Sequence, residues 1–332
     1  MSSSSPVSSY VTSHSDTLVT VFGGSGFLGR HVVRALAKRG YRIRVGVRRP
    51  ELAGHLQPLG KVGQIHAVQA NLRYPASVEA ATRGAGIVVN LVGILAGSGA
   101  QTFEAVHANG AGAVAQAASA AAARLVHVSA IGADAESASA YARSKAAGEA
   151  AVHEALPGSI VMRPSVVFGP EDDFTNRFAS LARLMPVLPL IGGGETKMQP
   201  VYVGDVARAI ADAADGAAKP GATYELGGPE VLSLREIYRI ILTMTDRERA
   251  LIPLPFALAR LKALVLQFAP SPFSLTRDQV TLLQSDNVVS EAAKSAGLTL
   301  EGLGITPDSL EAIAPQYLWR FRPQGQFQRK NA

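Results

Sequence analysis

With 332 residues and 47% hydrophobic side chains, the chain is long enough to bury a large core and stands at the size where one domain begins to acquire a second. Charged residues make up only 17% and the net charge is +6, a balance that suits an acidic partner without naming one. No zinc-finger spacing, long basic helix or aromatic-basic interleaving points to nucleic acid, and zero cysteines exclude disulfide, iron-sulfur and thiolate-zinc sites, in agreement with a reducing compartment.

Residues 1–17 are rich in Ser and Thr and read as a disordered polar tail. Apart from His14, the first basic residue is Arg30, so neither a secretory n-region nor an Arg-rich presequence is expected here. The expectation is a bacterial protein facing the cytosol, or one from which a presequence has been removed. The apolar run from Leu18 to Phe22 predicts a strand, and the spacing from Arg30 to Arg39 predicts a helix stopped by Gly40. Between them lies Gly23-Gly24-Ser25-Gly26-Phe27-Leu28-Gly29. Glycines at 23, 26 and 29 let the turn tighten, let a pyrophosphate approach the free N–H groups of the helix, and let the helix pack closely on the sheet.

Ile43 to Val47 predicts the second strand, and its exit selects the cofactor. A carboxylate about 20 residues after the glycine loop would bond the ribose hydroxyls of NAD, whereas a 2′-phosphate calls for arginine. Here Arg48 and Arg49 follow, with no acid before Glu51, which favours NADPH with Arg48 ahead of Arg49 as the contact. Strands at 65–69 and 87–92, helices at 77–82 and 111–123, and a strand at 125–129 continue the alternation of a parallel sheet covered on both faces. Asn71 and Leu72 after the third strand, and Val92 and Gly93 after the fourth, are candidate cofactor contacts; His127, inside a strand, reads as a core histidine.

Tyr141 and Lys145 stand four apart on one face of a helix predicted over 141–156, and Ser129 closes the preceding strand. Such a trio can pass a proton to or from a carbonyl oxygen, the lysine lowering the tyrosine pKa, or it can simply lock the ribose of a bound nucleotide. Both readings stay open at this point. The seven histidines show no metal-ligand spacing, so no metal is expected. After the strand 159–163 and Pro164, the stretch to Gln199 breaks the alternation with prolines and a triple glycine; Val201 to Val203 and a helix over 206–215 suggest a return to the main sheet. The expected division is a dinucleotide-binding domain over 18–165 completed by about 200–228, a smaller, discontinuous, mostly helical domain from 166–199 and 229–319, and a basic extended tail over 320–332. Phe256 to Ala269, flanked by prolines, is strongly apolar but well short of the roughly 20 residues that span a bilayer. A helix buried in the second domain is the plainer reading; one resting on a membrane or partner is the other.

These residues together resemble the extended and atypical short-chain dehydrogenases. Four stretches are similar in particular to the NADPH-binding accessory subunit family of respiratory complex I: Thr20 to Arg30; Arg163 to Phe174 with Asn176-Arg177-Phe178-Ala179; Gln199 to Val203 with Asp205-Val206; and Ser271-Pro272-Phe273 followed by Thr276-Arg277-Asp278. The resemblance covers about residues 17 to 320. It implies a Rossmann-like doubly wound parallel sheet and a tightly held NADPH without established turnover. In that setting Gly23, Gly26, Gly29 and Arg48 would hold the phosphates, Tyr141 and Lys145 the nicotinamide-side ribose, and Ser25, Phe27, Leu28, Arg49, Ser129 and Pro164 would be further cofactor contacts. It further implies other complex I subunits near the quinone-binding region as partners. Membrane or lipid would be met through about 253–273 and the basic C-terminal tail, and the location would be peripheral, on the cytoplasmic side of a bacterial inner membrane or the matrix side of a mitochondrial one. An NADP(H)-dependent reductase or sugar-nucleotide epimerase using Ser129, Tyr141 and Lys145 is the alternative.

Overall fold

The computed structural model describes residues 14–324. Its main sheet is built from β1 (Leu18–Phe22), β2 (Arg42–Val47), β3 (Ile65–Gln69), β4 (Ile87–Asn90), β5 (Arg124–Val128) and β6 (Ile160–Pro164), linked through α1 (Phe27–Lys38), α2 (Pro75–Thr82), α3 (Asn109–Ala120) and α4 (Ala140–Ala155). After β6 come β7 (Val167–Phe168), α5 (Thr175–Leu184), β8 (Val187–Ile191), β9 (Lys197–Met198) and β10 (Val201–Tyr202). Then follow α6 (Val203–Asp215), β11 (Thr223–Leu226), β12 (Leu232–Ser233), α7 (Leu234–Met244), β13 (Ala250–Leu254), α8 (Phe256–Leu266) and α9 (Arg277–Leu282).

The sheet runs in the order β11-β6-β5-β4-β1-β2-β3 with every pairing parallel. Side-chain parity divides each strand between two cores. Val19, Val21, Val45, Val89, Val126 and Met162 face the layer of α1 and α6, while Phe22, Val88 and Leu125 face that of α2, α3 and α4. Burial on both faces is why the strands read as unbroken apolar runs. The strand order reverses between β1 and β4, and in sheets of this kind the crevice outside the strand carboxyl ends at that point receives the ligand.

The sheet returns differently from expectation. Val201–Tyr202 pairs with Val167–Phe168 in a separate two-stranded unit, whereas Thr223–Leu226 takes the place beside β6 in register with Val161–Pro164. β11 fills that edge, and β10 lies instead beside the residues just beyond β6. The fourth strand also stops at Asn90 rather than 92, because the Asn90 side chain accepts the Val92 N–H at 3.2 Å and bends the chain outward.

The smaller region packs α5, α7 and the parallel pair β8 and β13 around Phe168, Leu188, Leu190, Ile237 and Ile241. Within the described residues, the first and last stretches are short turns that dock on the fold. His14–Asp16 form a 3-10 turn, and the His14 ring stacks on Tyr41 at 4.3 Å. Tyr41 donates to Asp215 at 2.5 Å and Arg39 pairs with Asp212 and Asp215, tying α1 to α6. At the other end Trp319–Phe321 is a docked turn: Arg320 donates to Pro170 O and Asn176 Oδ1, and Arg322 to Met244 O. The remainder of the expected polar head and of the basic tail lies outside the described residues.

The apolar helix α8 is not buried. Ala259 and Ala263 are buried against Val280 of α9 and Ile191, with Phe256 half-buried beside them, whereas Leu261 and Val265, and Phe268 just beyond the helix, are 62%, 74% and 84% exposed. Small residues on the inner stripe and large apolar ones outside invert the usual amphipathic arrangement.

Candidate functional site

The turn between β1 and α1 is shaped by its own backbone. Gly23 has φ +78°, a conformation that side chains resist, and a Cβ there would meet Leu91 and Val92 at 3.2 Å. A Cβ on Gly29 would stand 2.3 Å from the Gly23 carbonyl oxygen, so this glycine is required for the helix to seat against the strand exit. Gly26 differs. It is exposed, its φ of −76° suits any residue, and a Cβ would find only the Gly23 oxygen at 3.4 Å, an ordinary contact. Among the described residues, no side chain caps the first turn of α1, and a Cβ on Gly26 would meet nothing there but the Gly23 oxygen. A pyrophosphate fits that space and the positive end of the helix.

Ser25, Phe27 and Leu28 lie in the same turn, half-buried, and Val92 packs over Gly23 with Gly93 exposed beside it. On the neighbouring strand exit, Arg48 and Arg49 are exposed, and neither side chain has a hydrogen bond or ion pair among the described residues. Asn71 and Leu72 are less available. The Asn71 Oδ1 accepts the Arg73 N–H at 3.2 Å, and the Leu72 side chain is buried against Gly110. Arg73, which the sequence did not single out, keeps a buried Nε without a partner, as does Arg30 on α1.

The second half of the site forms at the exits of β5 and β6. Ser129 is 4% exposed, and its Oγ is buried without a hydrogen bond. Lys145 reaches back from α4 and donates to the Val128 carbonyl at 2.9 Å, next to Ser129. Burial lowers its pKa to about 8 against the opposing pull of Glu149, and burial pushes the half-buried Tyr141 phenol up to about 12. Pro164, buried at the end of β6, accepts the Ile131 N–H. Glu149 also grips Arg163 through two bonds of 2.9 and 2.6 Å, fixing α4 to β6.

Sequence reasoning missed the residues that aim Tyr141. His107 sits in a π-helical turn, Glu104–Ala108, and its ring meets the tyrosine ring edge-on at 5.5 Å. Its Nε2 accepts the Ile94 N–H at 2.9 Å, so Nδ1 carries the proton and donates to Ser144 Oγ at 2.8 Å, which in turn donates to Tyr141 O. Burial, with the Lys145 charge nearby, lowers its pKa to about 3. Gly148 makes this contact possible: a Cβ there would lie 2.2 Å from the His107 oxygen. His127 is buried as expected, bonded to the Asn90 amide at 3.1 Å. Among the described residues no group of three or more His, Cys, Asp or Glu could hold a metal.

The stretches singled out by resemblance also meet in space. Arg177 of α5 donates to Pro272 O and Ser274 O, Asn176 receives Arg320, and Glu171 lies 3.5 Å from Arg30 and 3.3 Å from His31 on the nucleotide-side helix. The model of the NAD dependent epimerase/dehydratase family matches residues 19–227. NADH dehydrogenase (ubiquinone) 1 alpha subcomplex subunit 9, mitochondrial, of Arabidopsis thaliana is 36% identical over 95% of this chain and 80% of its own. The Mus musculus protein of the same name is 34% identical over 94% and 82%. The chain belongs to the subunit 9 family, within the epimerase/dehydratase fold family. Among solved structures, the NADPH-dependent quinone oxidoreductase of Escherichia coli complexed with NADPH superposes with a TM-score of 0.70 over 90% of this chain and 99% of that one. Its identity is 19%, so that likeness speaks for the fold of this subunit 9 family member alone.

Proposed function

We propose that the chain holds NADPH across the β1–α1 turn as a non-catalytic accessory subunit of NADH:ubiquinone oxidoreductase. The observation that carries the nucleotide half is Gly26, exposed and sterically free, in front of a helix whose first amides have no internal partner. Arg48, with Arg49 beside it, supplies the positive charge that a 2′-phosphate wants, and no carboxylate stands there to refuse it. Gly23, Gly29, Ser25, Phe27 and Leu28 frame the phosphates; Val92, Gly93 and Pro164 line the crevice; and Tyr141 and Lys145 hold the far ribose.

Retention without turnover is supported by the state of the trio. The Lys145 ammonium is engaged by the Val128 carbonyl, and Tyr141 stands one turn before it on α4, an arrangement that suits holding a ribose. The subunit assignment is supported by relatives matched over more than nine-tenths of the chain and named for NADH dehydrogenase. A bound ligand then acts as a folding clamp, stabilising by RT ln(1 + [L]/Kd).

The finer reading places it among other subunits near the quinone-binding region, peripheral on the cytoplasmic side of a bacterial membrane or the matrix side of a mitochondrial one. No helix among the described residues is long and apolar enough to cross a membrane. The exposed Leu261, Val265 and Phe268, with Arg260, Lys262 and Arg277 around them and no acid between Glu248 and Asp278, suit an anionic lipid surface or an apolar subunit face.

The test is purification from membranes in mild detergent, with companion chains identified and bound nucleotide extracted. Co-migration with the redox complex and about one NADPH per chain is the expected result; a chain that migrates alone and empty refutes it. One observation favours a reductase instead: the partnerless Ser129 Oγ, which suits a carbonyl oxygen. A change in NADPH absorbance on adding carbonyl substrates would decide for that reading.

A further inference from the structure

Asp278 lies far from the nucleotide crevice in sequence and touches neither the glycine loop nor the two arginines at the exit of β2, yet it holds the helix on which Tyr141 and Lys145 stand. Its carboxylate accepts three donors from the first turn of α4: Ser139 Oγ–H at 2.9 Å, Ala140 N–H at 2.8 Å and Tyr141 N–H at 3.1 Å. Ser139, which is buried, caps the Ala142 N–H in turn. The amides of the first three helical residues are therefore all satisfied, two of them by a residue more than 130 positions away.

Asp278 is itself held rigidly. It sits in the first turn of α9, whose start is a capping box between Thr276 and Gln279. The other side of α9 buries Val280 against Ala259 and Ala263 of α8, and Arg260 of α8 donates to Gln284 at 2.8 Å. One short helix thus bridges the exposed apolar helix and the turn from which Tyr141 projects.

We infer that Asp278 is a positioning residue through which the α8–α9 pair sets the nicotinamide half of the nucleotide site. This rests on the reading that Tyr141 and Lys145 hold the ribose on that side. Without the carboxylate, the first turn of α4 loses its outside acceptor and Tyr141 loses its fixed start. The half of the site built on the glycine loop, Arg48 and Arg49 has no such dependence. Because coupling is reciprocal, a ligand that fastens Tyr141 also fastens α9.

The experiment compares wild type, Asp278→Ala and Asp278→Asn for binding of NADPH and of 2′,5′-ADP, which carries the 2′-phosphate but no nicotinamide ribose. Expected is NADPH binding about five- to tenfold weaker in D278A with 2′,5′-ADP binding unchanged, and partial recovery in D278N, whose amide oxygen still accepts. Equal weakening of both ligands would mean general loosening and overturns the inference, as does wild-type affinity of D278A for NADPH. Wild-type protein that binds neither ligand fails the underlying nucleotide reading instead. Hydrogen exchange on the intact chain gives the reciprocal readout: NADPH slows the amides of 277–283 in wild type and not in D278A, and equal slowing in both counts against the coupling.

Discussion

Replacing Gly26 and Gly29 separately by alanine should divide ligand binding from folding. At Gly29 the new methyl would sit 2.3 Å from the Gly23 oxygen and 2.6 Å from the Gly24 Cα, both backbone atoms. Relief needs a shift of more than an ångström, an overpacking cost of about 3 kcal/mol, against about 1 kcal/mol gained in helix propensity. The net of about 2 kcal/mol lowers Tm by about 3 °C at this chain length. At Gly26 the methyl meets ordinary contact, so the apoprotein loses about 0.5–1 kcal/mol, the difference between glycine and alanine as an N-cap. That methyl would, however, occupy the space assigned to the pyrophosphate. NADPH at a hundredfold excess over Kd stabilises wild type by about 2.7 kcal/mol, about 4 °C, and that shift should vanish in G26A. Differential scanning fluorimetry with and without NADPH reads both variants. A G26A protein that keeps the full NADPH shift, or a G29A apoprotein that melts with wild type, refutes the assignment of the two glycines.

Other outcomes follow from the same geometry. Arg48→Ala should weaken NADPH by about ten- to a hundredfold while leaving NADH within about twofold, since only the charge-assisted bonds to the 2′-phosphate are lost; titration calorimetry with both nucleotides checks it. Lys145 has a folded pKa near 8 against 10.5 for the free side chain, so between those values the unfolded chain binds more protons and stability rises with pH. Urea unfolding from pH 8 to 9.5, below the range in which the raised tyrosines weigh against the folded state, should show wild type gaining about 1–2 kcal/mol relative to Lys145→Met; parallel curves would contradict it. Glu149→Ala leaves Arg163 half-buried without its two-pronged partner and should cost about 3 kcal/mol in urea unfolding, with much of the loss recovered in the E149A/R163M double variant. Leu261→Asp with Phe268→Asp should leave Tm nearly unchanged, because both side chains already face outward, yet reduce recovery of the chain with the membrane complex.

Much of this architecture was legible because parallel strands covered on both faces admit only one reading of runs such as Ile87-Val88-Val89. The glycine loop was legible for a related reason, since only a tight turn into a helix needs glycine at 23 and 29. What escaped was set by contacts distant in sequence. Val201 carries strand-like composition but no sign that Thr223–Leu226 already fills the sheet edge. His107 lies in a π-turn, where helical spacing fails, and its role depends on Gly148 of another helix. Asp278 lies between the Thr276 and Gln279 of a capping box that is visible in the sequence, yet nothing local says that its carboxylate caps α4. For Phe256 to Ala269 a buried helix is the plainer of the two readings because composition counts apolar residues and not the direction they face.

The placement of β11 has a bearing on how the chain matures during synthesis. The strand that completes the sheet edge, and α6 which covers one of its faces, emerge from the ribosome only after the excursion through residues 167–198. The nucleotide layer therefore waits, with one face of β5 and β6 bare, while a segment belonging to another core is already outside. Neither half can be excised as one uninterrupted stretch, and a nascent chain halted near residue 200 would expose the apolar surface that Ile210, Ala211 and Ala214 later cover.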